Sequence, residues 1–344
     1  MRAAVLDRAA KTLRVVERPL PRPGAGELLL RVRACGVCRT DLHVVDGELP
    51  PHRDPVVPGH QIVGEVVAGA TPERPPGSRV GVSWIAATDG SCAFCRHGSE
   101  NLCDALRFTG YDVDGGYAEY VTARADFTYP LDPALDDVHA APLLCAGIIG
   151  FRALRVAGVE RGERVGLYGF GASAHLMVPV LQAWDCEVYV ATRGESHRAF
   201  ARSLGAAWAG EATERPPLAL DRAVTFAPAG DVVVAALGAL RKGGVVAINA
   251  IHLDRIPQFD YDSLLWGERQ IRSVANMTRA DARDFLELAA RIGLRPRATP
   301  FPLERANDAL AAIRADTIDG AAVVVPGPAD RQPTSYGDIW STAS

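Results

Sequence analysis

The sequence lacks most of the features that would send a chain to a membrane or to nucleic acid. No stretch approaches the roughly 18 uninterrupted apolar residues of a membrane span. No run of lysine and arginine suits an anionic surface. A net charge of −4 leaves no basic face for a nucleic-acid partner. Met1-Arg2-Ala3-Ala4-Val5-Leu6 runs directly into a strand-like pattern, without the apolar stretch and small-residue cleavage site of an export signal. An even set of cysteines is also missing: there are seven, clustered at Cys35/Cys38 and Cys92/Cys95/Cys103. In a chain with no export signal such clustering favours metal over disulfides and implies a cytoplasmic protein.

What is present suits a two-domain globular chain. Its 344 residues, 48% apolar and 23% charged, allow two cores at about 150 residues per domain. The chemistry concentrates between Cys35 and His60. Gly36-Val37-Cys38-Arg39-Thr40-Asp41-Leu42-His43 gathers a thiol, a guanidinium, a hydroxyl, a carboxylate and an imidazole, and Gly59-His60 follows a Pro-Gly turn. Thiolate and neutral imidazole are the ligands Zn²⁺ prefers, and a catalytic zinc takes three protein ligands with one position open. Cys38 and His60 supply two. Cys145, in the apolar run Ala141-Pro142-Leu143-Leu144-Cys145-Ala146-Gly147, is the candidate for the third.

Gly-x-Cys-x-Thr-Asp-x-His, then Gly-His, then Leu-Cys-Ala-Gly, in this order, resembles the zinc-dependent alcohol dehydrogenases of the medium-chain dehydrogenase/reductase superfamily. The likeness runs over all but about the last fifteen residues. It implies an α/β protein: a β-rich, GroES-like catalytic domain over 1–145 and 290–344, and a Rossmann domain with a doubly wound parallel sheet over 146–289. It also implies a homodimer or homotetramer. A second metal site is expected near 89–103, where Cys92, Cys95 and, eight residues on, Cys103 come close to a closed four-ligand lobe. Matching Gly98, Glu100, Leu102 and Cys103 to the family's lobe places Asp89 at its first ligand position, giving an Asp-Cys₃ site, with an empty lobe or three thiolates plus water as the alternatives.

The first 140 residues read as irregular β structure, with strands over 27–33, 61–68 and 78–82. The second half changes rhythm. Arg164–Tyr168 reads as a strand, Gly169-Phe170-Gly171-Ala172-Ser173-Ala174 as a Gly-x-Gly-x-x-Ala turn, 173–184 as a helix and 187–191 as the next strand. Strand before and helix after is the context that makes the glycine motif a dinucleotide site. The glycines admit the pyrophosphate and the helix start offers free N–H groups. Where a carboxylate for the ribose 2′-hydroxyl is expected, the chain has Thr192-Arg193-Gly194-Glu195-Ser196-His197-Arg198. A hydroxyl and cations suit a 2′-phosphate, so NADP(H) is expected in preference to NAD(H); a Glu195 turned toward the ribose would restore NAD. Further strands are expected at 221–226, 245–248 and 271–274, with a helix over 230–241 closed by Gly243-Gly244. Thr278 resembles a helix cap, and Phe285, Leu288, Ala289 and Ile292 form one apolar face. The polar tail from Pro326 carries Tyr336, Ile339 and Trp340, which could dock on the body.

The resemblance implies roles at matching positions: Thr40 bonding the substrate oxygen, His43 passing the proton to solvent, Asp41 orienting a metal ligand, Arg39 reaching the pyrophosphate. Two departures stand out. Gln61 replaces the glutamate that commonly follows the histidine, and Ile148-Ile149 replaces a threonine that packs on the nicotinamide. Trp84, with Phe108 and Tyr111 behind it, is the candidate pocket wall. Aromatic walls without a cation suggest a primary alcohol or aldehyde rather than a phosphorylated sugar. Cys35 and Cys186 read as buried thiols and His97 as a surface imidazole. Rival readings are a zinc-free quinone or enoyl reductase, which would not use Cys38, His60 and Cys145; a polyol or amino-alcohol dehydrogenase; and a non-catalytic nucleotide-binding or redox-sensing protein, which would not need Thr40 and His43.

Overall fold

The computed structural model describes residues 1–49, 52–318 and 320–327. Most of the expected tail, with Tyr336, Ile339 and Trp340, lies outside them.

Two sheets organise the chain. The first has seven strands and is built around the long strand Glu27–Val37, which is buried without a break from Ala34 to Val37, at the edge of the metal motif. It pairs antiparallel with Gln61–Ala68, Tyr120–Arg124 and Ala321–Val325. Ala321–Val325 is flanked in turn by Ala298–Pro302, so the end of the described chain returns to the sheet where the chain began. The strand Arg79–Val82 and the short Thr128–Pro130 complete it.

The second sheet has six parallel strands. Their order is Trp208–Gly210, Glu187–Ala191, Arg164–Tyr168, Leu220–Thr225, Leu240–Ile248 and Gln270–Ser273. Counted in chain order this is 3-2-1-4-5-6, the doubly wound order that opens a crevice beside the first strand at the carboxyl ends. The near-continuous burial of Val165–Tyr168 and Val188–Ala191 is what a parallel sheet covered on both faces requires.

The expected helix over 230–241 ends earlier, at Ala239, and the next strand begins at Leu240. Gly243-Gly244 lies inside that strand instead of closing the helix. Gly243 has φ +73°, and the pairing slips between Leu220 and Arg222. Here glycine accommodates an irregularity in the strand.

The connector between the sheets is a mostly buried run. Asp137–Ala140, a 3₁₀ turn over Ala141–Leu144 and the helix Ala146–Ala157 follow one another. Among the described residues it is the one segment long and apolar enough to cross a membrane, but most of it is packed inside the protein. Helix Ala146–Ala157 lies against helix Arg279–Arg291. A Cβ on Gly147 would stand 2.3 Å from the Phe285 ring, so only glycine allows that approach. Thr278 caps the second helix as expected: its hydroxyl accepts from the Asp281 N–H at 3.0 Å. Phe285, Leu288 and Ala289 are buried and Ile292 is half-buried against the same core.

Candidate active site

Cys38 is the residue at which the strand Glu27–Val37 hands over to the helix Arg39–Asp46. Its N–H donates to Asp41 Oδ2 at 2.8 Å, which ties the first helical turn back on itself. His60 enters from the turn ahead of the strand Gln61–Ala68, and Cys145 is the residue before helix Ala146–Ala157. One donor atom from each of Cys38, His60 and Cys145 lies within 4.8 Å of the others.

His60 is fully buried, and neither ring nitrogen has a hydrogen-bond partner among the described residues. Nδ1 stands 3.2 Å from Asp41 Oδ1, a charge contact off the line of a good hydrogen bond. Burial alone would push the imidazole down. The Asp41 carboxylate and the Cys38 sulfur outweigh burial and carry it up to about 10. The Cys145 thiol beside Cys38 pulls the Cys38 thiol well down despite burial, with His60 adding to the pull. Cys145 is pushed well up by the Cys38 sulfur and by burial. The cluster therefore favours a Cys38 thiolate beside a protonated His60, a charge arrangement that a bound cation could replace.

Thr40 is buried, with Oγ1 3.5 Å from Cys38 Sγ. His43 is half-exposed, and its Nδ1 faces the exposed Glu48 carboxylate. Arg39 is exposed and has no hydrogen bond or ion pair among the described residues. Trp84 stands edge-on to His60, with ring centroids 4.8 Å apart, and stacks on Phe108 at 4.7 Å. Tyr111 follows at 6.1 Å from Trp84. The three aromatics form one wall reaching outward from the His60 ring. Gln61, in place of a carboxylate, is buried, and its Oε1 accepts from the Ala146 N–H at 3.5 Å. Ile148 is fully buried in the core, leaving Ile149 half-buried.

Asp89, Cys92, Cys95 and Cys103 also gather within 4.8 Å. Asp89 Oδ1 accepts from the Ser91 and Cys92 N–H groups at 2.7 and 2.9 Å. Those two bonds, Cys92 first, hold its carboxyl well below the usual range, so it faces the three sulfurs as an anion. Backbone N–H groups of Cys95 and Ala105 point at the Cys92 and Cys103 sulfurs at 3.5 and 3.4 Å. His97 is exposed, its Nδ1 turned to the Ala93 carbonyl.

Gly169 has φ +89°, and a Cβ there would meet the Ala227 nitrogen at 2.9 Å; at Gly171 a Cβ would meet nothing within 4 Å. The first position needs glycine for the turn, and the second leaves open space over the start of helix Ala172–Ala183, whose first turn has no side-chain cap. Ser173 is half-buried there, and Ala174 is buried against the sheet. Thr192 is buried, and its N–H donates to the Gly210 carbonyl. The Arg198 guanidinium is engaged by Glu195 and Glu211 and by the Thr192 carbonyl. Glu195 also pairs with Arg202. Arg193 is exposed, with no ion pair among the described residues.

Comparison with known proteins gives the chain a family. Residues 24–133 match the alcohol dehydrogenase GroES-like domain family. The chain is 50% identical over 313 residues to the "Probable alcohol dehydrogenase AdhA" of Mycobacterium tuberculosis, covering 89% of this chain and 90% of the relative. The chain belongs to the alcohol dehydrogenases that carry this GroES-like domain. An alcohol dehydrogenase of Geobacillus stearothermophilus is 34% identical over 340 residues, covering 94% of this chain and 99% of its own. In fold, this alcohol dehydrogenase superposes with a TM-score of 0.86 on a cinnamyl alcohol dehydrogenase of Sorghum bicolor, at 24% identity, over 94% and 97% of the two chains.

Three residues of this dehydrogenase escaped the sequence reading. Tyr117 donates its hydroxyl to Asp41 Oδ2 at 2.8 Å. Glu48 stands on His43, and Glu211 takes up Arg198. Only Tyr117 left a trace: Gly115-Gly116 precedes it, and a Cβ on Gly115 would lie 2.1 Å from the Gly59 carbonyl oxygen. That glycine pair was a sign of backbones in close approach.

Proposed function

We propose that the protein is a zinc-dependent alcohol dehydrogenase or aldehyde reductase. It would move a hydride between a primary alcohol, or its aldehyde, and NAD(P), with NADP(H) preferred. The observation that carries this is the convergence of Cys38, His60 and Cys145, with both His60 nitrogens buried and unbonded. A buried imidazole without partners is costly in a finished core, and a bound cation removes the cost.

Bound between those donors, zinc would supply a Lewis acid for a substrate oxygen, and a nicotinamide in the crevice would supply or accept the hydride. The chain's own residues do the rest. Asp41 orients His60 and fixes the Cys38 backbone. Thr40, buried beside Cys38, holds the proton of the substrate hydroxyl, and His43 exchanges it with solvent. Trp84 and Phe108 exclude water and favour an apolar or aromatic substituent. Gly169, Gly171, Ala172, Ser173 and Ala174 would shape the pyrophosphate cradle, and the exposed Arg39 would reach toward the pyrophosphate. Thr192 and Arg193 face the ribose, and Arg193 is the cation left over for a 2′-phosphate. Arg198 is held by carboxylates and would act mainly by keeping Glu195 away from the ribose.

The lobe of Cys92, Cys95, Cys103 and Asp89 would hold a second, structural zinc. We assign 1–145 and 290–344 to the catalytic domain and 146–289 to the nucleotide domain, in a cytoplasmic homodimer or homotetramer. All seven cysteines are free, which supports a reducing compartment.

Metal analysis paired with an aldehyde screen, run with NADPH and with NADH, tests the proposal. Two zincs per chain with faster turnover on NADPH is the expected result. Turnover unaffected by zinc removal overturns the metal reading, and faster turnover on NADH overturns the cofactor assignment.

A further inference from the structure

We propose that Tyr117 is a positioning residue for the metal site: its hydroxyl fixes the Asp41 carboxylate, and through it the geometry of both His60 and Cys38. The inference rests on reading Cys38, His60 and Cys145 as metal donors.

Tyr117 is fully buried, and Asp41 is 2% exposed. Asp41 Oδ2 accepts two hydrogen bonds at 2.8 Å, from the Tyr117 hydroxyl and the Cys38 N–H. Its Oδ1 stands 3.2 Å from His60 Nδ1. One carboxylate thus touches two of the three donors, and the Cys38 N–H by itself would leave it free to swing about its last torsion. The phenol supplies the second fixed point. A carboxylate so held keeps its negative charge beside His60 Nδ1, which favours a ring turned with that nitrogen toward Asp41.

The tyrosine ring grips the same segment from the other side. Gly59, immediately before His60, has φ +94°, and a Cβ there would lie 2.5 Å from Tyr117 Cδ1. The Tyr117 N–H donates to the Pro58 carbonyl at 3.0 Å. The backbone that delivers His60 is therefore packed on the Tyr117 ring, while the His60 imidazole is aligned by the Tyr117 hydroxyl through Asp41. Ring and hydroxyl can be separated experimentally, because phenylalanine keeps the first and deletes only the second.

The test follows zinc leaving the fully loaded enzyme for a chromogenic chelator. The phase missing from a His60→Ala variant reports this site, and the remaining phase reports the cysteine lobe. In Tyr117→Phe the His60-dependent zinc should be held about tenfold more weakly, with the lobe phase unchanged. Tyr117 acts through Asp41, so Tyr117→Phe added to Asp41→Asn should weaken binding no further than Asp41→Asn alone. Unchanged zinc retention in Tyr117→Phe, or additive losses in the double variant, would overturn the assignment. Should Tyr117→Phe fold poorly, Tyr117→Leu, which also lacks the hydroxyl and is no larger than the ring, takes its place in the same comparison with Asp41→Asn. A wild-type enzyme with no His60-dependent zinc overturns the metal reading, and this inference with it.

Discussion

Glu100 Oε1 accepts the backbone N–H of Arg279 at 2.9 Å, across 179 positions of sequence. The 3₁₀ turn Glu100–Leu102 inside the cysteine lobe is thereby docked on the first turn of helix Arg279–Arg291. Beside it, Asn101 Nδ2 donates to the Ala275 carbonyl at 2.7 Å. Glu100 is 4% exposed, so Glu100→Ala would leave a buried N–H without an acceptor. The expected cost is about 1–3 kcal/mol, read from urea unfolding of the metal-loaded protein, and Glu100→Gln should recover part of it. A loss below about 0.5 kcal/mol, the level of an ordinary surface change, would mean that the contact does not hold the two halves.

Acid should loosen the nucleotide-binding half through His175. Burial pushes its imidazole down from 6.5 to about 4, although the Gly171 and Ala172 backbone favours the charged form. The unfolded chain takes up this proton near pH 6.5 and the folded one only near pH 4. The contribution is therefore intact above pH 6.5 and is lost as the pH falls through that window, on the order of 3 kcal/mol at 1.36 kcal/mol per unit. His175→Phe should abolish this part of the slope. Unfolding free energies of both proteins at pH 7.5 and 4.5 decide it: a constant difference between them rules it out.

The aromatic wall makes a selectivity prediction. Trp84 and Phe108 stack at 18° between planes, and such pairs contribute about 0.5–1.5 kcal/mol beyond area burial. Phe108→Ala should lower kcat/KM for an aromatic aldehyde roughly three- to tenfold more than for a short aliphatic one. Equal losses on both would show that the wall does not contact substrate.

Cofactor choice should turn on Thr192 and Arg193. Thr192→Asp places a carboxylate at the end of the strand Glu187–Ala191 and should move preference toward NADH. Arg193→Ala should weaken NADPH about tenfold, the size of a lost charge-assisted hydrogen bond, with little effect on NADH. Fluorescence titration with each reduced cofactor reads both. If Arg193→Ala weakens the two equally, the arginine does not read the 2′-phosphate.

The parts of the site visible in advance were those written in local sequence. Cys38, Thr40 and His43 stand within one helical turn or two, and the Gly169–Ala174 turn sits between a strand and a helix that both formed close to the expected bounds. Gly243-Gly244 misled because a glycine pair after an apolar helix reads as a stop, whereas pairing with Leu220–Thr225 draws it into a strand. The contacts of Tyr117 and of Glu100 stayed hidden for another reason. Each acts on a residue 76 or 179 positions away, and nothing in the neighbourhood of either announces its partner.

The placement of Cys145 has a consequence for how the enzyme comes into being. It follows the buried 3₁₀ turn and opens the helix that enters the second sheet's core, whereas Cys38 and His60 belong to the first sheet. A ribosome that has released only the opening third of the chain has exposed two of the three donors but not the turn that brings in the last. The donor set is complete only once the 3₁₀ turn Ala141–Leu144 has packed on the first sheet. A zinc held there would pin that turn to the sheet, so a chain made without zinc would keep its strands but hold its connector loosely.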